Sequence, residues 1–168
     1  MNFRVYGYEP NSVVDGEGIR LAIFFQGCLH HCEGCQNPNS WPMYGGIKMD
    51  TEQFKKQMVS DPLLSGITLT GGEPFLQPVA ALELAKFAKS RKLSVWCYTG
   101  YTFEQIMEWE DNRKELLSYI DVLVDGRFEA DKKSLDLAWR GSSNQRIIDV
   151  KKSLEAGCAV RYGDGKGR

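Results

Sequence analysis

Two rhythms of apolar residues alternate along the chain. The run Leu21-Ala22-Ile23-Phe24-Phe25 lies inside Arg20–Gln26, and similar short runs follow at Gly66–Thr70, Leu93–Tyr98, Tyr119–Val124 and Arg146–Val150. Runs of this length bounded by turn residues predict buried strands, and Phe3–Tyr8 reads as a further strand before them. Between the runs the spacing becomes helical. Asp50 or Thr51 can cap a helix to about Ser60 that places Phe54, Met58 and Val59 on one face. Pro78 suits the start of a helix over Val79–Ala88, and Thr102 with Gln105 forms a capping box for one reaching about Leu117. Asp15-Gly16 between Phe3–Val14 and Ile19 is a hairpin signal.

Strands alternating with helices predict right-handed βαβ units around a parallel sheet. At ~30 residues per unit the chain holds five or six strands, too few to close an eight-fold barrel. The fold class expected is α/β: a partial, incomplete parallel β/α barrel formed by one domain over residues 1–160. The glycine-rich, charged segment Arg161–Arg168 is expected to be a frayed tail.

Composition changes this picture little. With 42% apolar and 26% charged residues in 168, the chain has the make-up of a globular domain. A net charge of −1 gives no electrostatic reason to bind nucleic acid or a membrane surface. No apolar run approaches ~20 residues, and Met1–Tyr6 lacks the apolar segment of a secretory leader, so a cytoplasmic protein is expected. In that compartment its five cysteines read as ligands or free thiols.

Three of them stand in one loop. Cys28, Cys32 and Cys35 follow the end of the first confident strand with C-x₃-C-x₂-C spacing, where parallel α/β folds place their active sites. Three thiolates so close can converge on one metal centre. A structural zinc site would complete them with His30, His31 or a distant residue; the two histidines read more simply as solvent-facing loop residues. An iron–sulfur cubane usually takes four cysteines, so three would leave one iron open to chemistry. Cys97 and Cys158, far from the loop, read as unremarkable thiols.

Two more strand ends carry glycine. Thr70-Gly71-Gly72-Glu73-Pro74 reads either as a turn or as an edge against which a ligand lies, with carbonyls and the Glu73 carboxylate accepting from an ammonium group. Cys97-Tyr98-Thr99-Gly100-Tyr101 repeats the pattern with an added hydroxyl. Beside a three-cysteine loop, the two describe a pocket.

The order of Cys28, Cys32, Cys35 and Gly71-Gly72-Glu73-Pro74 on these strand ends resembles the radical S-adenosylmethionine enzymes. Val14–Arg20, Phe25–Cys28, Cys35–Trp41 and Arg140–Arg146 are similar to segments of the activating enzymes of glycyl-radical enzymes, that of anaerobic ribonucleoside-triphosphate reductase above all. The resemblance covers about Tyr6 to Val150. It implies a 4Fe–4S cluster on the three cysteines, with S-adenosylmethionine completing the fourth iron. Gly71, Gly72, Glu73 and Pro74 would hold the methionine end, Glu73 taking its ammonium group, and Thr99 would be a further cofactor contact. Asp15, Gly16 and Gly18 would help receive the glycine-bearing segment of the partner, the reductase, and a flavodoxin- or ferredoxin-type protein would donate the electron. In many superfamily members an aromatic residue precedes the third cysteine and lies near the adenine. Gly34 stands there, so Tyr98, Tyr101 or an aliphatic side chain would supply that contact. Arg20 reads as a strand-end anchor. Other readings of the same chain are a radical enzyme acting on a small molecule and a non-catalytic metal-binding partner module.

Overall fold

The computed structural model describes residues 1–163. Its centre is a seven-stranded sheet in the order β3-β1-β2-β4-β5-β6-β7. The strands are β1 (Asn2–Ser12), β2 (Arg20–Phe25), β3 (Ile47–Asp50), β4 (Gly66–Gly71), β5 (Ser94–Tyr98), β6 (Val122–Asp125) and β7 (Arg146–Asp149). The four central strands β2, β4, β5 and β6 run parallel. Antiparallel strands flank them: β1 pairs with β2 and with β3, and β7 pairs with β6.

The sheet is therefore mixed and larger than the five or six parallel strands expected. The expected hairpin forms between β1 and β2, across the loop holding Asp15 to Gly18. Ile47–Asp50 is too short and too exposed to show an apolar run, and it becomes a strand only because β1 offers it an open edge. The segment joining β6 to β7 contains no α-helix, and without a crossover helix β7 returns antiparallel.

Among the described residues five α-helices accompany the strands: α1 (Thr51–Ser60), α2 (Pro78–Ser90), α3 (Phe103–Met107), α4 (Asn112–Leu117) and α5 (Val150–Ala156). The side chain of Asp50 caps α1 through a full capping box. Thr51, Phe54 and Met58 are its buried face, while Val59 is 53% exposed. The expected grouping of Val59 with Phe54 and Met58 fails because 51, 54 and 58 share one side of a 3.6-residue repeat and 59 lies a further ~100° round. Thr102 and Gln105 do form the capping box, but the helix they start ends at Met107; a second begins where Asp111 accepts the N–H of Arg113. Arg146–Asp149 is a strand as expected, yet Val150 already belongs to α5, capped by Asp149.

Alternation along the strands separates two faces. Leu21, Ile23, Phe25, Ile67, Leu69, Val95, Cys97 and Leu123 point toward the helices, joining Phe54, Leu84, Phe103 and Leu116 in the main core. The opposite face carries Arg20, Thr68, Trp96, Tyr98, Val122 and Val124, and no α-helix side chain joins its smaller cluster. Part of that face is covered by Trp139 and Tyr162, both edge-on to Trp96 at centroid distances of 5.1 and 5.6 Å. Arg161 bridges to Ile148 and Tyr162 donates its N–H to the Ile147 carbonyl, so the tail is paired at its start; residues 164–168 lie outside the described residues.

Candidate metal centre

The C-terminal ends of β2, β4 and β5 meet the cysteine loop and the β6–β7 connection around a cleft of about 400 Å³. The loop leaves β2 at Gln26, which is buried and donates to the carbonyls of Asn39 and Pro42. The Gly27 and Cys28 amides donate to the Ser40 and Trp41 carbonyls, so the segment after the cysteines is folded back onto the segment before them. This closed loop brings Cys28, Cys32 and Cys35 to one wall of the cleft. Cys28 is buried and the other two half-buried.

Burial pushes the Cys28 and Cys32 thiols up; the backbone amides of His30 and His31 at Cys28, and of Phe128 at Cys32, act in the opposite direction. Among the described residues no three His, Cys, Asp or Glu side chains gather tightly enough to hold a single metal ion. A tetrahedral zinc would need sulfurs roughly 3.8 Å apart. Neither histidine waits as a spare ligand. His31 is exposed and stacks on Trp41 at 4.6 Å. His30, expected to face solvent, instead turns inward, its side chain 6% exposed and its Nε2 2.7 Å from Glu73 Oε1.

The glycine pair shares the cleft with the cysteines. Gly71 and Gly72 line the cleft, and each is required by a close backbone contact, Gly71 with the end of β2 and Gly72 with Gly27 just beyond it. A Cβ on Gly71 would sit 2.5 Å from the Phe25 nitrogen, and one on Gly72 would sit 2.4 Å from the Gly27 carbonyl oxygen. The Gly72 and Glu73 amides donate to the Phe25 and Gly27 carbonyls at 2.7 Å each. Glu73 and Pro74 are buried behind this wall and do not line the cleft, whereas Thr99 does. Asp15 reaches the rim, held by the Ser12 hydroxyl and by a bond from the Thr68 hydroxyl to its carbonyl. Gly16 and Gly18 pack away from the cleft, against Trp96 and Ser65.

A 4Fe–4S cluster suits this wall on two grounds. Three soft thiol donors share it, and the Trp41 Nε1–H, on a residue of the same cleft, is buried without an acceptor among the described residues. A family model described as "4Fe-4S single cluster domain" matches residues 14–148. The chain belongs to that family. It is also similar over most of its length to proteins named anaerobic ribonucleoside-triphosphate reductase-activating protein. The protein from Pasteurella multocida (strain Pm70) is 40% identical over 150 residues, 83% of this chain and 93% of the relative. That of Enterobacteria phage T4 is 39% identical over 155 residues, 88% and 93% of the two chains, and that of Escherichia coli (strain K12) 33% over 157 residues, 88% and 97%.

Several cleft residues carry no mark in the sequence. Gly34 has φ +75°, and a Cβ there would lie 3.4 Å from the Phe128 ring, so the β6–β7 connection brings an aromatic group beside Gly34, the residue before the third cysteine. Trp139 and Tyr98 also line the cleft; Tyr101 does not, packing instead on His30 and Trp109. A lone Phe in a polar segment has no spacing signal, and its role depends on where that segment crosses the sheet.

Proposed function

We propose that the chain is a radical S-adenosylmethionine activating enzyme. It cleaves S-adenosylmethionine reductively at a 4Fe–4S cluster and uses the 5′-deoxyadenosyl radical to take a hydrogen atom from a glycine of anaerobic ribonucleoside-triphosphate reductase. The observation that carries this reading is one cleft lined by three thiols and no fourth together with a glycine edge, while Cys97 and Cys158 stand elsewhere. The relatives named for activating that reductase support the choice of partner.

Cys28, Cys32 and Cys35 would hold the cluster, which when bound supplies an electron and an iron open to the amino acid end of S-adenosylmethionine. Gly71 and Gly72 line the same cleft, and the methionine end would lie against their main-chain carbonyls. Thr99 sits at the same edge, and Glu73 and Pro74 shape it from behind. Loop closure by Gln26, Ser40 and Trp41 holds the thiols before anything binds, which favours a short electron path over diffusion of the parts. Asp15, with Gly16 and Gly18 setting the course of its loop, would form the rim that meets the partner's glycine segment. We read the sheet as an open partial barrel, its uncovered mouth suited to a protein segment. A flavodoxin- or ferredoxin-type donor and action in the cytoplasm complete the proposal, with no part for nucleic acid or membrane. Among the described residues no helix is long and apolar enough to cross a bilayer.

The test is electron paramagnetic resonance of the anaerobically reconstituted, reduced protein. A reduced 4Fe–4S signal that shifts on adding S-adenosylmethionine is expected. Bound zinc, or a cluster signal indifferent to S-adenosylmethionine, would overturn the proposal. We assign the adenine contact to Phe128, whose ring lines the cleft beside Gly34; Phe128→Ala is then expected to keep the iron content while weakening S-adenosylmethionine about tenfold, an aromatic ring stacked on a base being worth ~1–3 kcal/mol, and equilibrium binding to the reconstituted protein measures it.

A further inference from the structure

Glu73 is fully buried, yet it is the most heavily bonded carboxylate near the cleft. Its Oε1 accepts from the Gly100 N–H at 2.8 Å and lies 2.7 Å from His30 Nε2; its Oε2 accepts from the Phe75 N–H at 3.1 Å. The Thr99 hydroxyl stands 2.8 and 2.9 Å from the two oxygens. A carboxylate offers about four lone-pair sites. Two backbone amides, a hydroxyl and an imidazole N–H fill them. Nothing is left over for an ammonium group, and the side chain has no surface through which one could reach it.

The other half of the contact is equally built. The His30 side chain is 6% exposed and edge-on to Tyr101 at 4.6 Å. Gly100 makes room for it: a Cβ there would lie 2.5 Å from the ring. His30 lies between Cys28 and Cys32, and its own amide acts on the Cys28 sulfur. One side chain therefore ties the cysteine loop to the turn after β4 and the turn after β5.

We propose that Glu73 is a positioning residue that holds the cysteine loop in place through His30, and that it is not a group that contacts the cofactor. This refines the function proposed above and rests on it only where the loop is taken to carry a cluster. The ammonium group then falls to main-chain carbonyls at Gly71–Gly72, and the loop's geometry depends on an acid that never meets the ligand.

Three variants separate the roles. Glu73→Gln puts an amide N–H among donors, His30→Phe keeps the ring against Tyr101 but removes the donor, and His30→Gln places an amide N–H where Nε2 stood. Hydrogen exchange of residues 28–36 in the reduced, cluster-free protein is the first readout, with the α2 amides as the control for global folding. Glu73→Gln and His30→Phe are each expected to speed loop exchange about tenfold, a hydrogen bond to a charged group being worth ~1.5–3 kcal/mol. The double variant should add little to either, as two ends of one contact must. His30→Gln should stay within about threefold of the parent. In the reconstituted protein, His30→Phe and Glu73→Gln should weaken S-adenosylmethionine by similar factors and alter the reduced cluster's resonance alike. If Glu73→Gln weakens the cofactor while His30→Phe leaves binding and loop exchange unchanged, Glu73 is a direct contact and the proposal falls. It falls equally if no variant changes loop exchange. Should Glu73→Gln fail to fold, His30→Phe and its rescue by His30→Gln decide alone. Because exchange is read without cluster or cofactor, it stands whether or not the radical chemistry does.

Discussion

Replacing Cys28, Cys32 or Cys35 by alanine, one at a time, is expected to cut the iron retained after anaerobic reconstitution about tenfold or more, since loss of one of three protein thiolates leaves two irons without a protein ligand. The fold should survive. Cys32 and Cys35 are half-buried loop residues, and the loop is closed by backbone bonds at Gly27 and Cys28 that do not use their sulfurs. Cys97 and Cys158 supply the controls. Cys158 is exposed at the end of α5, and Cys158→Ala should match the parent in both iron and stability. Cys97 is fully buried on the helix side of β5, and burial drives its thiol well above the usual range, so it is an inert core residue. Cys97→Ala should keep its iron and lose only about 1 kcal/mol, the value of a small buried group. Iron retained by Cys28→Ala at the parent level, or lost in Cys97→Ala, would move the metal centre elsewhere. Iron and sulfide analysis with a melting curve for each variant settles it.

Arg20→Met should bring the largest loss of stability, about 3–5 kcal/mol, because several buried acceptors lose their donor together. Arg20 is 1% exposed. Its Nε donates to the Thr68 hydroxyl at 2.8 Å. Nη1 donates to the Glu17 carbonyl at 2.8 Å and the Ser94 hydroxyl at 3.0 Å, and Nη2 to the Ile67 and Ser94 carbonyls at 2.7 and 2.9 Å. Each of the five guanidinium donors has a partner, all of them neutral, and the group lies over the Trp96 ring at 5.6 Å. Burial lowers its pKa to about 10, which leaves it cationic at neutral pH. The guanidinium joins the β1–β2 loop to the starts of β4 and β5, at the opposite ends of the strands from the cleft. For a domain of this size the loss corresponds to a melting temperature lower by roughly 6–20 °C. Arg20→Lys should recover only part of it, since one ammonium cannot reach acceptors spread over a planar fork. A melting temperature unchanged in Arg20→Met would mean that water from the adjoining surface cavity replaces the guanidinium.

How much of the site was legible depended on whether a residue acts where it stands or where the fold takes it. The cysteine triplet and the glycine pair were legible because spacing alone brings them to strand ends. Glu73 was legible as the residue after the glycine pair but not in its orientation, which is buried and away from the cleft. The side chain turns back into the protein because Gly100 and Thr99 offer it donors from the turn after β5, which a sequence reading cannot place. His30 was read as a solvent-facing residue for the same reason. Its partner lies 43 residues away, and no local pattern distinguishes a buried loop histidine from an exposed one. The β3 edge and the break after Met107 escaped because both are decided by neighbours, an open strand edge in one case and the helix restart at Asp111 in the other.

By itself the sequence determined the alternation of strands and helices, a cap at Asp50 or Thr51 and another at Thr102, and the three thiols beside a glycine edge. These follow from periodicity, capping and spacing, which are properties of neighbouring residues. Only the tertiary structure decided that antiparallel strands flank the parallel centre, that Phe128 lies beside Gly34 of the cysteine loop, and that Glu73 is buried against His30. Those outcomes belong to residues far apart in the chain, and burial of polar groups obliges each of them to find whichever partner the fold delivers.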